Sequence, residues 1–441
     1  MKSQYTVKLK QQSTLELAER DFSTMDELFI LQVSREIGLG GGSECVAFEL
    51  HRAWLALGLD ARVVTSLATE SELPEGITFA APWLTLLGIR SRARYLAELI
   101  AIPWFTLAAT WRVYRSHGSK IVLSHGDSLT GDVCVMHAVN RASLAEKRRA
   151  GYYGWVLNPI NLWVALRDLW MLRGGRYRRI VAISDRVRTQ LKDYYHVPDE
   201  RIVTIPNGID HARFNPANAR SRNEVRNAFG IPHNAPLVLF VGNQYRLKGL
   251  EFAIRALKEM KTEGYLLVIG ADNAGPFKRM ADDLGLSRRV IFAGARTDLQ
   301  RIYPAADAFL LPTLYETFAL VCIEAMASGL PVLATKVGGI EDYLRDGENG
   351  ITVQRDAKDI AVKLDRLLND PELHARIREQ GLTTAADYAW ERVAKQYLRL
   401  FEELIAEQAR GSGLKAGRLR WRRRPSSPGV RNPGISILGE T

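Results

Sequence analysis

Short apolar runs rich in β-branched residues alternate with amphipathic stretches along most of this chain, in two successive series. The first series begins with LFILQVS at residues 28–34 and ends with RIVAISD at residues 179–185. The second begins with LVLFVGN at residues 237–243 and ends with PVLATK at residues 331–336. This alternation is typical of βαβ units, whose strands pair in parallel. The sequence therefore predicts an α/β protein with two Rossmann-like domains, each built on a doubly wound parallel sheet.

A polar stretch after VTIPNGID at residues 203–210 separates the two series. We accordingly expect a first domain over residues 28–206 and a second over residues 207–389, facing each other across a cleft. A helix at residues 390–407 is expected to pack back on the first domain, and residues 1–27 are expected to be an N-terminal extension. Ligands of doubly wound sheets bind beyond the carboxyl ends of the strands, so the cleft is the expected site.

The composition is that of an ordinary globular protein, with 46% apolar and 25% charged residues in 441, and it excludes a collagen-like, coiled-coil or wholly disordered chain. Cys45, Cys134 and Cys322 lie far apart without metal-ligand spacing, which indicates buried thiols in a reducing compartment. The first residues lack the apolar core of a secretory signal, and the uncharged stretch Leu99–Trp111 is too short to span a bilayer. We therefore expect a cytoplasmic protein.

The net charge of +11 is concentrated in two segments. The tail at residues 408–441 holds eight basic residues against one acidic residue and is rich in Gly, Pro and Ser, which predicts disorder. The segment Arg141–Arg179 holds nine basic residues against two acidic ones, and its arginines flank a tryptophan-containing apolar run at residues 155–172.

Two interpretations of the Arg141–Arg179 segment remain open. Basic residues around Trp and Leu are typical of an interfacial segment on anionic lipid, which would make the protein peripheral at the inner face of the cytoplasmic membrane. The same pattern fits a helix packed into the domain with arginines at its solvated end. Nucleic acid is not an expected partner, because no helix-turn-helix, zinc-finger or RNP-like signature accompanies the charge.

The segment Glu316–Glu324 follows the predicted strand AFLLPT at residues 308–313. Two carboxylates at the amino end of a helix can accept hydrogen bonds from sugar or ribose hydroxyls, and the free backbone N–H groups there attract an anion. These N–H groups belong to Phe318, Ala319 and Leu320. Alternatively, Glu316 caps the helix and Glu324 lies on a solvated face.

The loop GNQYRLKG at residues 242–249 follows the first strand of the second domain. Its glycine allows close backbone approach, and Arg246 and Lys248 can neutralise a diphosphate leaving group without a metal ion. A ligand site is favoured by the position of this loop at the carboxyl end of a strand.

The glycine-rich stretch GLGGGSE at residues 38–44 follows the first strand of the first domain. Its glycines, Gly41 and Gly42 among them, would let the backbone approach a phosphate at a helix start, although a pliable loop is the alternative. The full dinucleotide fingerprint is missing, so NAD is not expected.

Four polar residues of the first domain are predicted at or just after strand ends, where an acceptor would reach them. Of these, His137 is the candidate for catalysis, although a histidine satisfied inside the core is the common alternative. The other three are candidates for the acceptor side: His125, Asp127 and Asp132.

These motifs, in this order, resemble the family 4 retaining glycosyltransferases of GT-B fold over roughly residues 28–405. The family's Glu-x7-Glu pair matches Glu316 and Glu324, and its Ala-Met-Ala-x-Gly-x-Pro-Val segment matches Ala325–Val332. Further matches are the Gly-Gly pair at Gly338 and Gly339, the Asn-Gly linker at Asn207 and Gly208, and the donor loop at Gly41 and Gly42. The region Gly131–Ala150 looks most like the lipopolysaccharide core glucosyltransferases.

The resemblance implies a role for each matching residue. Glu316 would contact the donor sugar, Glu324 the ribose hydroxyls and Lys248 the diphosphate, and the amides of Phe318, Ala319 and Leu320 would bind the sugar and phosphate. Gly294 and Ala295 would lie near the base, and His137 beside the transferred sugar. Asn243 stands where the family has an arginine, which leaves Arg246 as its substitute. Thr317 and Ala319 stand where glycine is common, so a slightly tighter sugar pocket is expected.

We therefore expect a retaining transfer of a hexose from a nucleotide-diphosphate sugar to a hydroxyl of a glycolipid, lipopolysaccharide or polysaccharide. The sequence contains no Asp-x-Asp, so neither a metal ion nor another cofactor is expected. The expected partners are the donor, the acceptor and an anionic membrane that contacts Arg141–Arg179 and the basic tail. The alternatives are a GT-B sugar-nucleotide epimerase, a non-catalytic sugar-nucleotide-binding protein and a basic nucleic-acid-binding protein.

Overall fold

A computed structural model describes residues 26–40, 42–70, 73–81, 94–117, 119–149, 151, 153, 158–411 and 419–423. Gly41, residues 1–25 and most of the basic tail lie outside the described residues. In the described part of the chain, no helix is both long and apolar enough to cross a membrane.

The first domain is built on a parallel sheet with the strand order β5-β3-β1-β6-β7-β8-β9. Its strands are β1 Asp26–Val33, β3 Ala61–Thr65, β5 Ile77–Phe79, β6 Lys120–Ser124, β7 Val133–Met136, β8 Arg179–Ala182 and β9 Ile202–Thr204. The short strands β2 Glu36–Ile37 and β4 Leu67–Ala68 pair beside it. Central residues such as Ile30, Leu123 and Val181 are fully buried, as expected for strands covered on both faces.

The helices of the first domain connect these strands. They are α1 Gly42–Ala56, α2 Arg94–Arg115, α3 Asn140–Arg149, α4 Pro159–Arg173 and α5 Asp185–Tyr195. The apolar run predicted at residues 155–172 thus contains most of α4. This helix buries Asp168, Met171 and Leu172 but leaves Leu162, Leu166 and Trp170 exposed, so the domain covers only one of its faces.

The second domain has a parallel sheet with the strand order β12-β11-β10-β13-β14-β15. Its strands are β10 Leu237–Val241, β11 Tyr265–Ile269, β12 Val290–Gly294, β13 Ala308–Leu311, β14 Val332–Ala334 and β15 Ile351–Thr352. Its helices are α6 Arg222–Ala228, α7 Tyr245–Lys248, α8 Leu250–Glu259, α9 Gly275–Asp283, α10 Leu299–Ile302, α11 Leu320–Ala327, α12 Ala357–Asn369 and α13 Pro371–Ala386. The prediction of two domains, each with a doubly wound parallel sheet, is therefore confirmed.

The last helix, α14 Trp390–Gly411, returns from the second domain to the first and packs on α1. The ring of Trp54 on α1 lies 6.1 Å from that of Tyr397 and 5.8 Å from that of Phe401. At the start of α14, the linker amide of Ile209 donates to the carbonyl of Tyr388 at 2.7 Å. The linker and α14 therefore cross between the domains side by side.

The prediction of a disordered tail is wrong for two described parts of residues 408–441. Residues 408–411 continue α14, and β16 Leu419–Trp421 pairs in parallel with Asp26–Leu28 of β1. The amide of Arg422 donates to Leu28 O at 2.7 Å, and the ring of Trp421 lies 6.2 Å from that of Phe401. Backbone pairing and the ring of Trp421 hold this segment together with two of its arginines. Arg423 Nη1 donates to Leu57 O at 2.8 Å, and Arg422 Nε lies 3.5 Å from Asp60 Oδ2.

Ending the chain after Gly411 should lower the free energy of unfolding by about 2–4 kcal/mol, because it removes the backbone hydrogen bonds of β16 and the packing of Trp421. Ending it after Arg423 keeps both features and serves as the matched control. Urea unfolding of the two truncated chains measures the difference. Equal stabilities would contradict an anchoring role for β16.

Candidate active site

The side chains of Lys248 and Glu316 meet at the carboxyl edge of the second sheet. Lys248 follows β10 and Glu316 follows β13, and these strands are hydrogen-bonded neighbours. Lys248 Nζ forms a direct ion pair with Glu316 Oε1. The two side chains keep 20% and 11% of their surface exposed, so the pair is sheltered but still open to the cleft.

Close backbone packing brings the two loops together. Gly249, directly after Lys248, has φ +81°, and a Cβ there would lie 2.1 Å from Pro312 O. The amide of Leu314 donates to Leu247 O at 2.9 Å. Glycine is therefore required after Lys248, both for its left-handed conformation and for the contact that places Lys248 beside Glu316.

The backbone of Glu316–Ala319 is supported from behind by the segment after β14. Gly338 has φ +61°, and a Cβ there would lie 1.7 Å from Glu316 O. The hydroxyl of Tyr343 donates to Phe318 O at 3.1 Å and to Ala319 O at 3.3 Å. These contacts occupy carbonyl groups only, and α11 begins directly afterwards, at Leu320. The N–H groups at the start of α11 are thus oriented by the fold rather than by a side-chain cap.

Ala319 adopts a left-handed conformation with φ +60° at the start of α11. This conformation costs an alanine about 1 kcal/mol but is free for glycine. The departure from the usual glycine therefore introduces local backbone strain directly beside the candidate site.

Glu324 lies on α11 and accepts a hydrogen bond from the buried hydroxyl of Tyr303 at 2.7 Å. Burial raises the pKa of Glu324, and the cation of Arg213 opposes this increase. Burial also raises the pKa of the Cys45 thiol, and the negative charge of Glu324 adds to it. The thiol of Cys45, in the first turn of α1, is therefore close enough to the carboxylate of Glu324 for the two groups to interact electrostatically. The solvated-face alternative for Glu324 is therefore wrong.

The other predicted donor residues follow neighbouring strands of the same sheet. Asn243 Oδ1 accepts a hydrogen bond from Ala271 N at 2.7 Å, which ties the loop after β10 to the loop after β11. Arg246 is exposed on the turn that contains Lys248. Gly294 and Ala295 are exposed at the end of β12. From β13 to β12 there are three strand spacings, so these residues extend along the edge over roughly 14 Å.

In the first domain, Gly42 begins α1 with φ +66°, and Gly41 before it lies outside the described residues. His125 and His137 follow β6 and β7 at the cleft edge, and their rings stack with centroids 5.1 Å apart. His125 Nδ1 and His137 Nε2 are 2.8 Å apart, within hydrogen-bond distance. The two histidines thus form one unit.

Gln32 sets the proton positions in this unit. Its Nε2 donates to Ala47 O at 2.7 Å and lies 3.0 Å from His125 Nε2. The second amide proton therefore points at His125 Nε2, which must accept it. His125 then carries its proton on Nδ1 and donates to His137 Nε2, so the proton of a neutral His137 is on Nδ1. Burial lowers the pKa of His137 to about 4, which keeps its ring neutral at pH 7.

The two aspartates differ in position. Asp127 follows β6 at the cleft edge, where its carboxylate accepts from Arg35 N at 2.8 Å and lies 3.8 Å from Arg167. The acceptor-side prediction for Asp132 is wrong, because this residue directly precedes β7 and therefore lies at the opposite edge of the sheet. Its carboxylate accepts from Val122 N at 2.8 Å, which is a structural role.

The domains also meet directly beside Glu316. The amide of Asp185, at the start of α5, donates to Asp342 Oδ2 at 3.0 Å. A Cβ on Gly339 would lie 3.0 Å from Ser184 Cβ, and the hydroxyl of Tyr315 donates to Gln190 Oε1 at 3.4 Å. Three residues were not predicted from the sequence: Gln32, Tyr303 and Asp342. A polar residue inside the apolar run of β1 was a signal for Gln32, whereas nothing in the sequence marked the other two.

The Arg141–Arg179 segment contributes an open cavity of about 590 Å³ beside α3. Its lining is basic and apolar: Arg141, Leu144, Ala145, Arg148, Arg149 and Tyr153. Nowhere in the described ranges do three or more His, Cys, Asp or Glu side chains group as a metal site would require.

Ala319→Gly should change the free energy of unfolding by less than about 0.5 kcal/mol, because relief of the left-handed strain offsets the lost methyl group. Ala325→Gly, at a buried position with ordinary helical geometry in the same helix, should cost about 1–2 kcal/mol. Urea unfolding compares the two variants. Equal destabilisation would contradict strain at Ala319.

Two family models match the chain. The model described as Glycosyltransferase Family 4 matches residues 40–213, and the model described as Glycosyl transferases group 1 matches residues 221–384. A D-inositol 3-phosphate glycosyltransferase of Corynebacterium urealyticum is 32% identical over 240 residues, which cover 51% of this chain and 56% of that protein. The chain thus spans just over half the length of this relative.

Solved structures show the same fold. WaaG, a glycosyltransferase involved in lipopolysaccharide biosynthesis, has a TM-score of 0.68 at 21% identity, over 84% of this chain and 98% of its own. Anabaena Alr3699/HepE in complex with UDP-glucose has a TM-score of 0.62 at 17% identity, over 85% of this chain and 99% of its own. The two family models match the two doubly wound domains in chain order, which confirms the resemblance seen in the motifs. The chain belongs to the family 4 glycosyltransferases of GT-B fold.

Proposed function

We propose that this protein is a retaining glycosyltransferase that moves a hexose from a nucleotide-diphosphate sugar to a hydroxyl group of its acceptor. The observation that carries the proposal is the ion pair between Lys248 and Glu316, which lies in front of the amino end of α11 and opens to the cleft. A cation, a carboxylate and free N–H groups at one strand edge suit a diphosphate bonded to a hydroxyl-rich sugar.

In this proposal the donor lies along the carboxyl edge of the second sheet. Glu316 and the amides of Phe318–Leu320 hold the sugar, Lys248 and Arg246 the diphosphate, and Glu324 the ribose hydroxyls. Glu324 Oε2 is engaged by Tyr303, so Oε1 is the oxygen that would accept from ribose. Gly294 and Ala295, without bulky side chains, would lie against the base.

In the proposed reaction, the bond between the anomeric carbon and the diphosphate breaks while the acceptor oxygen bonds to that carbon from the same face. The proton of the acceptor hydroxyl passes to the departing diphosphate. Lys248, Arg246 and the N–H groups of α11 stabilise the negative charge that develops on the diphosphate. Since these fixed positive groups can neutralise the diphosphate as a bound metal ion would, we propose that transfer needs no metal ion. Closure of the two domains would exclude water and limit hydrolysis of the donor.

His137 is proposed to donate from Nδ1 to a hydroxyl of the transferred sugar. The hydrogen bonds from Gln32 through His125 hold its Nε2 as an acceptor, so the donor is preset before the substrate binds. A neutral imidazole retains this arrangement across the physiological pH range.

The acceptor is proposed to be a glycolipid or saccharide, with the protein peripheral at an anionic membrane through Arg141–Arg179. The basic cavity beside α3 supports an acceptor that carries a negative charge such as phosphate, because arginine binds such groups with paired hydrogen bonds. The name of the Corynebacterium relative, D-inositol 3-phosphate glycosyltransferase, also refers to a phosphorylated compound, which agrees with this proposal.

Glu316→Gln should lower the rate of transfer by about a hundredfold or more, because the contact that orients the sugar is lost. Affinity for the nucleoside diphosphate should stay equal or rise, because Lys248 is released from its carboxylate partner. The measurement is nucleoside diphosphate release from UDP-, GDP-, ADP- and dTDP-sugars in EDTA, with and without a membrane extract as acceptor. Calorimetry measures the diphosphate affinity.

Glu251→Gln, which changes an exposed carboxylate on α8, is the matched control. Equal loss of transfer and diphosphate affinity in Glu316→Gln would assign Glu316 a structural role. An isomerised nucleotide sugar formed without acceptor would identify an epimerase. No release from any donor would identify a binding protein.

The low pKa of His137 predicts how stability depends on pH. In the unfolded chain the histidine binds a proton near pH 6.5, whereas in the folded chain it does so only near pH 4. The unfolded state therefore binds more protons between these values, and the free energy of unfolding falls as the pH is lowered from about 6.5 to about 4.

His137→Gln retains an acceptor for His125 but cannot titrate. Between pH 7 and pH 5 this variant should lose roughly 1–2 kcal/mol less stability than the parent in urea unfolding. The exposed His117→Gln variant controls for loss of a histidine as such. The same pH dependence in His137→Gln and the parent would refute the assignment.

A further inference from the structure

A stripe of large apolar side chains on α2 faces outward from the first domain. Its members recur every three or four residues along one helix face: Ile100, Trp104, Leu107, Trp111 and Tyr114. Each is between 51% and 69% exposed. The opposite face of the helix buries Phe105, Ala109 and Val113 in the domain core. Both faces of α2 are thus apolar, but the domain covers only one.

The neighbouring helix α4 repeats this arrangement. Leu162, Leu166 and Trp170 recur at every fourth residue and are at least 55% exposed. The two helices contact each other. The loop between β6 and β7 also connects the carboxyl-terminal ends of the two helices. Leu129 N in this loop donates to Thr110 Oγ1 on α2 at 2.9 Å. The hydroxyl of Tyr177, just after α4, donates to Ser128 O in the same loop at 2.6 Å.

This clustering is specific to the first domain. Of the twelve large apolar side chains exposed among the described residues, eight lie on α2 and α4, and only Val362 belongs to the second domain. Isolated exposed apolar residues are common on proteins, but a contiguous exposed apolar patch indicates a docking surface.

The charges at the ends of the two stripes indicate what docks there. Arg115 lies over the ring of Trp111 with 4.9 Å to the centroid, and Arg176 over the ring of Trp170 with 4.2 Å. Arg112 and Arg173 are exposed in the last turns of the two helices. The acidic residue of α4, Asp168, is buried against Arg167. The carboxyl-terminal ends of both stripes are therefore cationic and aromatic.

We propose that the exposed stripes of α2 and α4 together dock the first domain onto an anionic lipid bilayer. Tryptophan, tyrosine and leucine insert into the boundary between headgroups and acyl chains, and arginines beside them bind lipid phosphates. A second copy of the chain is a poorer occupant, since a two-fold contact would bring the same arginines together. The inference extends the membrane contact of the proposed function to α2, outside Arg141–Arg179, and does not depend on sugar transfer.

Docking through this surface would hold the candidate acceptor domain against the membrane. The second domain, with its donor residues, would project into water. A lipid-linked acceptor would then reach the cleft from the membrane while the nucleotide sugar enters from solution.

The test is sedimentation of the full chain with vesicles of phosphatidylcholine alone or mixed equally with phosphatidylglycerol. The parent should bind the mixed vesicles and bind phosphatidylcholine vesicles much more weakly. A variant combining Trp104→Ser, Leu107→Ser and Trp111→Ser should lose about tenfold or more in vesicle affinity, because three inserting side chains are removed. Their exposure means that the fold should be retained, which thermal unfolding checks.

Val362→Ser, at a 67% exposed position in the second domain, is the matched control and should bind vesicles like the parent. Arg112→Glu combined with Arg115→Glu should also weaken binding, and high salt should remove this difference. Quenching of tryptophan fluorescence by brominated acyl chains should occur in the parent and fall in the serine variant, because electrostatic adsorption alone would not quench it.

Three results would overturn the inference. They are a parent that does not bind the mixed vesicles, a serine variant that binds like Val362→Ser, and a parent dimer that the serine substitutions convert to a monomer. The last result would assign the surface to self-association. Each readout is independent of transfer, so failure of the proposed function would leave this test intact.

Discussion

Parallel pairing of β10 with β13 is the constraint on which the candidate site depends. Because both strands run in the same direction, the loops that follow them leave the sheet at the same edge, one strand spacing apart. Lys248 and Glu316, 68 residues apart in sequence, therefore meet as an ion pair. The loops after β11 and β12 extend the same edge, and the support behind it comes from Gly338 and Tyr343.

Several contacts join the first domain to the second. The helix α14 crosses from the second domain and buries aromatic side chains against Trp54 of α1. The start of α5 contacts the segment around Gly339 and Asp342, which also supports Glu316. The segment that supports Glu316 is thus also part of the contact between the domains. Any opening of the cleft at this contact would therefore displace the segment that supports Glu316.

Much of the fold and the second-domain site could be predicted from sequence, because both depend on local patterns. Apolar runs mark the strands, and in parallel sheets the residues just after them share one edge, which is enough to bring Glu316, Lys248 and Gly294 to one side. The prediction for Asp132 was wrong because a local pattern alone does not show on which side of a strand a residue lies. Asp132 precedes its strand, and in the sequence a residue just before one strand resembles a residue just after another.

Other features depend on contacts that no local pattern encodes. The clash that requires Gly338, the hydrogen bond from Tyr303 to Glu324 and the pairing of β16 with β1 all join distant parts of the chain. The exposed stripe of α2 was hidden because the helix is apolar on both faces, so its periodicity could not indicate which face the domain covers. The composition of the tail concealed a short strand for a related reason: the backbone, Trp421 and two arginines that hold it all contact residues far away in the sequence.

In the proposed function, a nucleotide-diphosphate sugar binds along the carboxyl edge of the second sheet, between Lys248 and the amino end of α11. Backbone hydrogen exchange with and without the nucleoside diphosphate that binds most tightly tests it most directly. Slower exchange is expected in residues 242–249 and 317–322, where the N–H groups would face the diphosphate. Unchanged exchange in these two segments, with protection elsewhere in the chain, would contradict it.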